Sequence, residues 1–281
     1  MLELTGLGSV LRGLSVLYWI LGLGAMVIVL WKVRPWWAKT AGAMVVVAAF
    51  GYLPLQELIE ANKREAYARE AWAYFKKKCD TESGEKIYKT FTGVKSVLVV
   101  KPLPPANGNA LYDQFWLGDP YSNATPGERG ESAALKLASL TLPISFGKEG
   151  RGFNFVEFPT NAEGKFLKFA YAKGAYEHVS EPIGRPVSRF GISWEDISTP
   201  ADRKFWVAGS RLRVIDLVDK SIVAERIGYF IEAGFGSRAG QRTPWLSSRG
   251  KNTTCPWAHD FSDRWFVLKV LRPVEEIRDG K

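Results

Sequence analysis

Histidine and cysteine are almost missing from this chain: its 281 residues hold two of each, His178, His259, Cys79 and Cys255. So few cysteines exclude a disulfide-dense scaffold. A four-ligand zinc site made from Cys79, His178, Cys255 and His259 is also disfavoured, because structural sites take their cysteines in closely spaced pairs and Cys79 stands alone. A Cys255–His259 nucleophile and base would need an orienting group, and Asp260 is a neighbour in sequence only. Serine is plentiful, but no G-x-S-x-G elbow occurs. The stretch "GFGSRAG" (Gly234 to Gly240) has the spacing G-x-G-x-x-x-G, but a dinucleotide site needs its glycines to open a helix, and Pro244 stands where that helix would have to run. The adjacent Glu195 and Asp196, after "GISW", read as a turn or a helix start rather than as an acid/base pair. No repeat of fixed period and no low-complexity tract is visible. No cofactor, metal or catalytic set is expected.

Apolar residues, by contrast, are abundant and unevenly placed. They make up 46% of the chain, with 13% aromatic residues. The run Leu14 to Trp31 carries no charge, and about eighteen residues is the length that crosses a hydrocarbon layer of roughly 30 Å. After "KVRPWWAK" comes a second apolar run, Thr40 to Leu55, with Trp36 and Trp37 placed for the headgroup level. A secretory signal peptide would end in a small-x-small cleavage site, and a buried core helix would not be followed at once by a second one across a basic turn. Residues 1–56 therefore read as a two-helix transmembrane hairpin. Lys32, Arg34 and Lys39 crowd its turn, against Arg12 and Glu3 before it, so the turn is expected in the cytoplasm and both termini outside. The basic stretch "ANKREAYAREAWAYFKKK" pulls the other way, with Glu60, Glu65 and Glu70 interleaved.

Residues 57–78 read as a connecting helix leaving the membrane. Leu58, Ala61, Ala68, Trp72 and Phe75 recur at helical spacing, with Glu65 the interruption. Such a stripe packs on the chain's own domain or, alternatively, makes a homo-oligomer. Residues 79–281 read as an exported, periplasmic α+β domain with a mostly antiparallel sheet. Strands are expected in "EKIYKTFTGVKSVLVVKPLP", "GFNFVEFP", "GKFLKFAYA" and "RWFVLKVLRP", a helix in "GERGESAALKLASL", and a hairpin turning at Asp219–Lys220 that sets Leu212–Leu217 beside Ile222–Ile227. Outside the cytoplasm two thiols oxidise, so Cys79 and Cys255 are expected to form a disulfide.

The formal charge is +9, and almost all of it lies beyond residue 60. A basic domain outside the cytoplasm implies an acidic protein partner or an anionic envelope component, not nucleic acid. The stretch Gly234 to Thr254, rich in Gly, Ser and Arg, reads as the contact loop, with Arg238, Arg242 and Arg249 for forked hydrogen bonds and Trp245 and Trp257 as apolar anchors. The expectation is thus a bacterial inner-membrane protein displaying a protein-binding domain without catalysis, as immunity proteins against periplasm-acting toxins do. The alternatives are an envelope-assembly accessory and an envelope hydrolase acting on lipid or cell-wall polymer.

Overall fold

The computed structural model describes residues 5–101, 109–116, 153–160, 164–171, 178–247, 250–256 and 262–273. The chain divides into two compact units, Met1–Arg69 and Glu70–Lys281.

The first unit is made of α1 (Thr5–Lys32) and the greater part of α2 (Trp36–Glu82), a continuous helix of 47 residues. Both helices are long and apolar enough to cross a membrane. Over residues 14–31 and 40–55 their outer surfaces are apolar all round, with Leu17, Leu23, Val27, Val45 and Val47 exposed, a pattern that suits lipid better than water. The helices meet where side chains are smallest. A Cβ on Gly22 would come within 2.9 Å of the Phe50 ring, and one on Gly42 within 2.8 Å of Val29, so both glycines are needed for this approach. Pro54 lies inside α2 and has no amide hydrogen to give the Phe50 carbonyl four residues back. The Tyr18 hydroxyl of α1 donates to that carbonyl instead, at 2.5 Å.

The second unit holds the last turns of α2 and a mixed sheet. Its elements are β1 (Gly84–Ile87), β2 (Phe91–Val94), β3 (Ser96–Lys101), a 3₁₀ turn (Ala110–Tyr112), β4 (Phe155–Pro159), β5 (Phe166–Tyr171), β6 (His178–Ile183), β7 (Phe190–Asp196), α3 (Pro200–Lys204), β8 (Val207–Asp216), β9 (Ile222–Ile231), α4 (Pro244–Ser247), β10 (Thr254–Cys255), α5 (Ser262–Val270) and β11 (Leu271–Pro273). Among the described residues the main sheet runs β1-β9-β8-β7-β3-β4-β5-β6, and β10 also pairs with β9. Only the pairings of β3 with β4 and with β7 are parallel in this sheet. A second pair, β2 with β11, is parallel. The protein is therefore α+β with a mostly antiparallel sheet.

The core lies on one sheet face. Alternation along β8 sends Leu212 and Val214 inward and Arg211 and Arg213 outward. Val97, Val99, Val156, Ile192 and Trp194 join the inward set, and Phe266, Val267 and Val270 of α5 pack into the same cluster. Over the outward face Arg211 reaches Glu195 and Glu225, both at 3.3 Å, and Arg213 reaches Glu225 at 3.0 Å.

The β8–β9 hairpin pairs Leu212 with Arg226 and Ile215 with Ile222, as its sequence predicts. Lys220 takes a positive φ of 61° at the turn. "RWFVLKVLRP" is a correction: it is helical through Val270, and only Leu271–Pro273 is strand. Its buried residues, Phe266, Val267, Val270 and Leu271, follow a helical period, while the β-branched and aromatic content had pointed to a strand. The helix expected in "GERGESAALKLASL" lies outside the described residues.

Candidate functional site

The end of α2 and the described part of the segment from Glu232 to Cys255 lie around β9 with both cysteines, whereas His178 stands on β6 and Glu195 and Asp196 on β7. The region at β9 is built around three carboxylates, two of them buried and one exposed.

The first is Asp202. The sequence Thr199-Pro200-Ala201-Asp202 starts α3 with a capping box, in which the Thr199 hydroxyl accepts from the Asp202 amide and the Asp202 carboxylate accepts from the Thr199 amide. That fixes the carboxylate at full burial, where the Tyr74 hydroxyl donates to it at 2.8 Å and Lys78 approaches to 3.5 Å. Burial and then the Asp202 hydrogen bond raise the Tyr74 phenol above its ordinary pKa.

The second is Glu82. Lys78 stands 2.9 Å from it, and the Tyr229 hydroxyl donates to it at 2.6 Å. Burial works against charge on Glu82, but the hydrogen bonds from Tyr229 and Lys78 outweigh it and hold the carboxyl below its usual range. Burial also works against the Lys78 ammonium, and the bond to Glu82 and the charge of Asp202 outweigh it. The Tyr229 phenol is pushed well up by burial first and by Glu82 second. Lys78 further lies over the Tyr229 ring, 5.3 Å from its centroid.

Cys79 follows Lys78, and Cys255 sits opposite Tyr229 in the β10–β9 pairing. The two sulfurs are at disulfide distance, with Cα atoms 5.7 Å apart. The disulfide and the Tyr229–Glu82 bond thus tie the same turn of α2 to the same place on the sheet. Both cysteines are engaged in this pair. Among the described residues no group of three His, Cys, Asp or Glu is placed to hold a metal ion.

The third carboxylate is Glu232, fully buried at the end of β9. It accepts the amides of Gly234 and Gly236 at 3.0 and 2.7 Å, and it pairs with the Arg242 guanidinium. The "GFGSRAG" turn therefore wraps its own chain's carboxylate, and these two amides are already engaged. Gly236 needs its positive φ of 79°, and a side chain there would run into Trp206.

The five residues predicted to contact a partner have different fates. Trp245 is 0% exposed: it stacks on Trp206 at 5.1 Å, lies under the Arg203 guanidinium at 5.0 Å, and donates its indole N–H to the Asp113 carbonyl at 2.7 Å. It is a core residue and presents no surface. Arg242 braces the glycine turn through Glu232. Arg238 is exposed, its guanidinium over the Tyr112 ring at 4.7 Å. Arg249 and Trp257 lie outside the described residues, as do His259 and Asp260.

Sequence reasoning missed Asp202, Tyr229, Glu232 and Tyr112. The capping box of Thr199 and Asp202 was open to it. Nothing local marks Glu232, whose partners come from the next ten residues in an irregular order. The connecting helix serves its own domain at its far end, where Ala71 and Phe75 are buried, while Leu58 and Ile59 are exposed.

No family model, no curated protein and no solved structure matches this chain.

Proposed function

We propose that the chain is a two-pass protein of a bacterial inner membrane, with both termini and the sheet domain on the periplasmic side, and that the domain acts by binding a protein partner. The observation that carries the reading is the continuity of α2. One helix begins in an apolar segment fit for a bilayer and carries Cys79 in its last turn, at disulfide distance from Cys255, a pairing that persists on the oxidising side of a membrane. The orientation rests on Lys32, Arg34 and Lys39 at the turn between α1 and α2.

A binding role draws support from the charges. The ion pairs of the outward sheet face are mutually neutralised and Arg242 is spent on Glu232, whereas Arg238 stays at the surface, consistent with an acidic partner. Toxin neutralisation and envelope assembly both fit this description, and the identity of the neighbouring gene separates them.

Reporter fusions at Lys281 test the topology. A reporter active only after export is expected to work there, and a fluorescent reporter that matures only in the cytoplasm is expected to stay dark. The reverse pattern removes the periplasmic reading.

A further inference from the structure

Three short segments meet beside the glycine turn. Residues 109–116 carry the 3₁₀ turn with Tyr112 and, just after it, Phe115. The Gln114 amide donates to the Arg203 and Lys204 carbonyls at 2.8 and 2.9 Å, at the end of α3. The Tyr112 hydroxyl and the Thr243 hydroxyl are 3.4 Å apart, and Trp245 bonds the Asp113 carbonyl. The segment is thus pinned on both sides by buried structure, and Tyr112 supports Arg238.

Six described arginines of the sheet domain are taken up in ion pairs. Arg189, Arg203, Arg211, Arg213, Arg226 and Arg242 each face a carboxylate of their own chain: Asp216, Asp196, Glu195, Glu225, Glu85 and Glu232. Arg238 instead sets its guanidinium over the Tyr112 ring at the surface. A guanidinium held over a ring has less freedom to lose, so a carboxylate that reaches its N–H donors can be gripped at a lower entropic cost. Phe115, 56% exposed, offers an apolar contact from the same segment that carries Tyr112.

We propose that Arg238, stacked on Tyr112 and accompanied by Phe115, is the recognition centre for an acidic segment of a partner protein: a carboxylate takes the guanidinium fork and a neighbouring apolar side chain covers Phe115. An arginine–aromatic pair with one exposed apolar neighbour on a fixed support is the arrangement that interface hot spots favour. The proposal deepens the binding role above and rests on it. It does not depend on which side of the membrane the domain occupies, so failure of the topology test leaves it standing and its own failure leaves the topology standing.

The test uses the full chain in zwitterionic nanodiscs and a panel of synthetic decapeptides in which Asp or Glu flanks Leu or Phe, with Asn/Gln and Lys/Arg counterparts. Acidic peptides are expected to bind and the amide counterparts to lose binding. R238E should weaken acidic peptides about tenfold or more and acquire affinity for the basic counterparts, R238K and F115A should weaken binding several-fold, and Y112F, which keeps the ring, should change little. The melting temperature of R238E should match that of the parent. The proposal is overturned if no acidic peptide binds, if R238E binds as the parent does, or if amide counterparts bind equally. It is equally overturned if amides 237–241 gain hydrogen-exchange protection from anionic phosphatidylglycerol nanodiscs instead, since the surface then reads lipid headgroups.

Discussion

Pro54 removes the amide hydrogen that would have satisfied the Phe50 carbonyl, and Tyr18 supplies a substitute from the other helix. In apolar surroundings an unsatisfied carbonyl costs about 1–3 kcal/mol, so Tyr18→Phe is expected to destabilise the helix pair by that amount. Pro54→Ala restores the backbone bond and makes the hydroxyl dispensable. The double variant should therefore lose much less than the sum of its parts, as read from helicity during titration with a denaturing detergent. Equal losses from Tyr18→Phe in both backgrounds would show that the tyrosine serves another purpose. The same scale separates Trp245 from Arg238. Trp245→Ala opens a buried site and should cost about 3–5 kcal/mol, seen as a large fall in melting temperature, whereas Arg238→Ala at the surface should stay within about 0.5 kcal/mol. Sequence could not tell these two apart. An aromatic residue among arginines and glycines has the composition of a contact loop, and only the packing of Trp206, Phe230 and Arg203 around it places Trp245 in the core.

Elements were more legible where period and punctuation agreed. The β8–β9 hairpin was readable because two β-rich runs flank a polar turn, and α2 because its helical spacing resumes after the apolar run, across Pro54, and continues to "DTESGE". The α5 segment was not, since its four inward residues fit a short strand nearly as well as a helix, and the choice is made by packing against β8 and β9. The junction of α2 with β9 yields two predictions. The Tyr229 phenol has its pKa raised above the unfolded value near 10, so the folded state holds that proton more tightly. Its contribution is complete below pH 10 and is lost as pH rises beyond it, so the alkaline limb of a stability profile should flatten in Tyr229→Phe. Glu82 behaves oppositely. Its pKa is lowered, so its contribution is present above the ordinary glutamate range and fades as pH falls below it. The second prediction concerns the cysteines. Closing a chain separation of 176 residues is worth at most about 5 kcal/mol in the chain-entropy treatment. Cys79→Ser and Cys255→Ser should lower the melting temperature equally, and the double variant no further; unequal single losses would argue against a shared bond.

At the scale of the whole molecule, three features read from sequence depend on one another: the charge of the helix turn, the side of the membrane the domain occupies, and the state of the cysteines. The two apolar helices were legible because fitness for a membrane depends on gross composition, which a sequence displays directly, whereas any contact surface depends on which side chains the fold turns outward. The dependence can be tested by changing the turn alone. On the proposed orientation, replacing Lys32, Arg34 and Lys39 with Glu removes the charges that would hold the turn in the cytoplasm, and the basic stretch from Lys63 to Lys78 then becomes the dominant retention signal. The domain should remain on the reducing side. Alkylation of the intact protein under denaturing, non-reducing conditions is expected to find no free thiol in the parent and two in the charge-inverted variant, whose melting temperature should fall to that of the Cys79→Ser, Cys255→Ser double variant. None of the three substitutions lies in the sheet domain, so loss of the bond would be traceable to location and not to local damage. Should the variant keep both thiols oxidised, the turn charges do not set the topology, and the orientation proposed for the two helices falls with them.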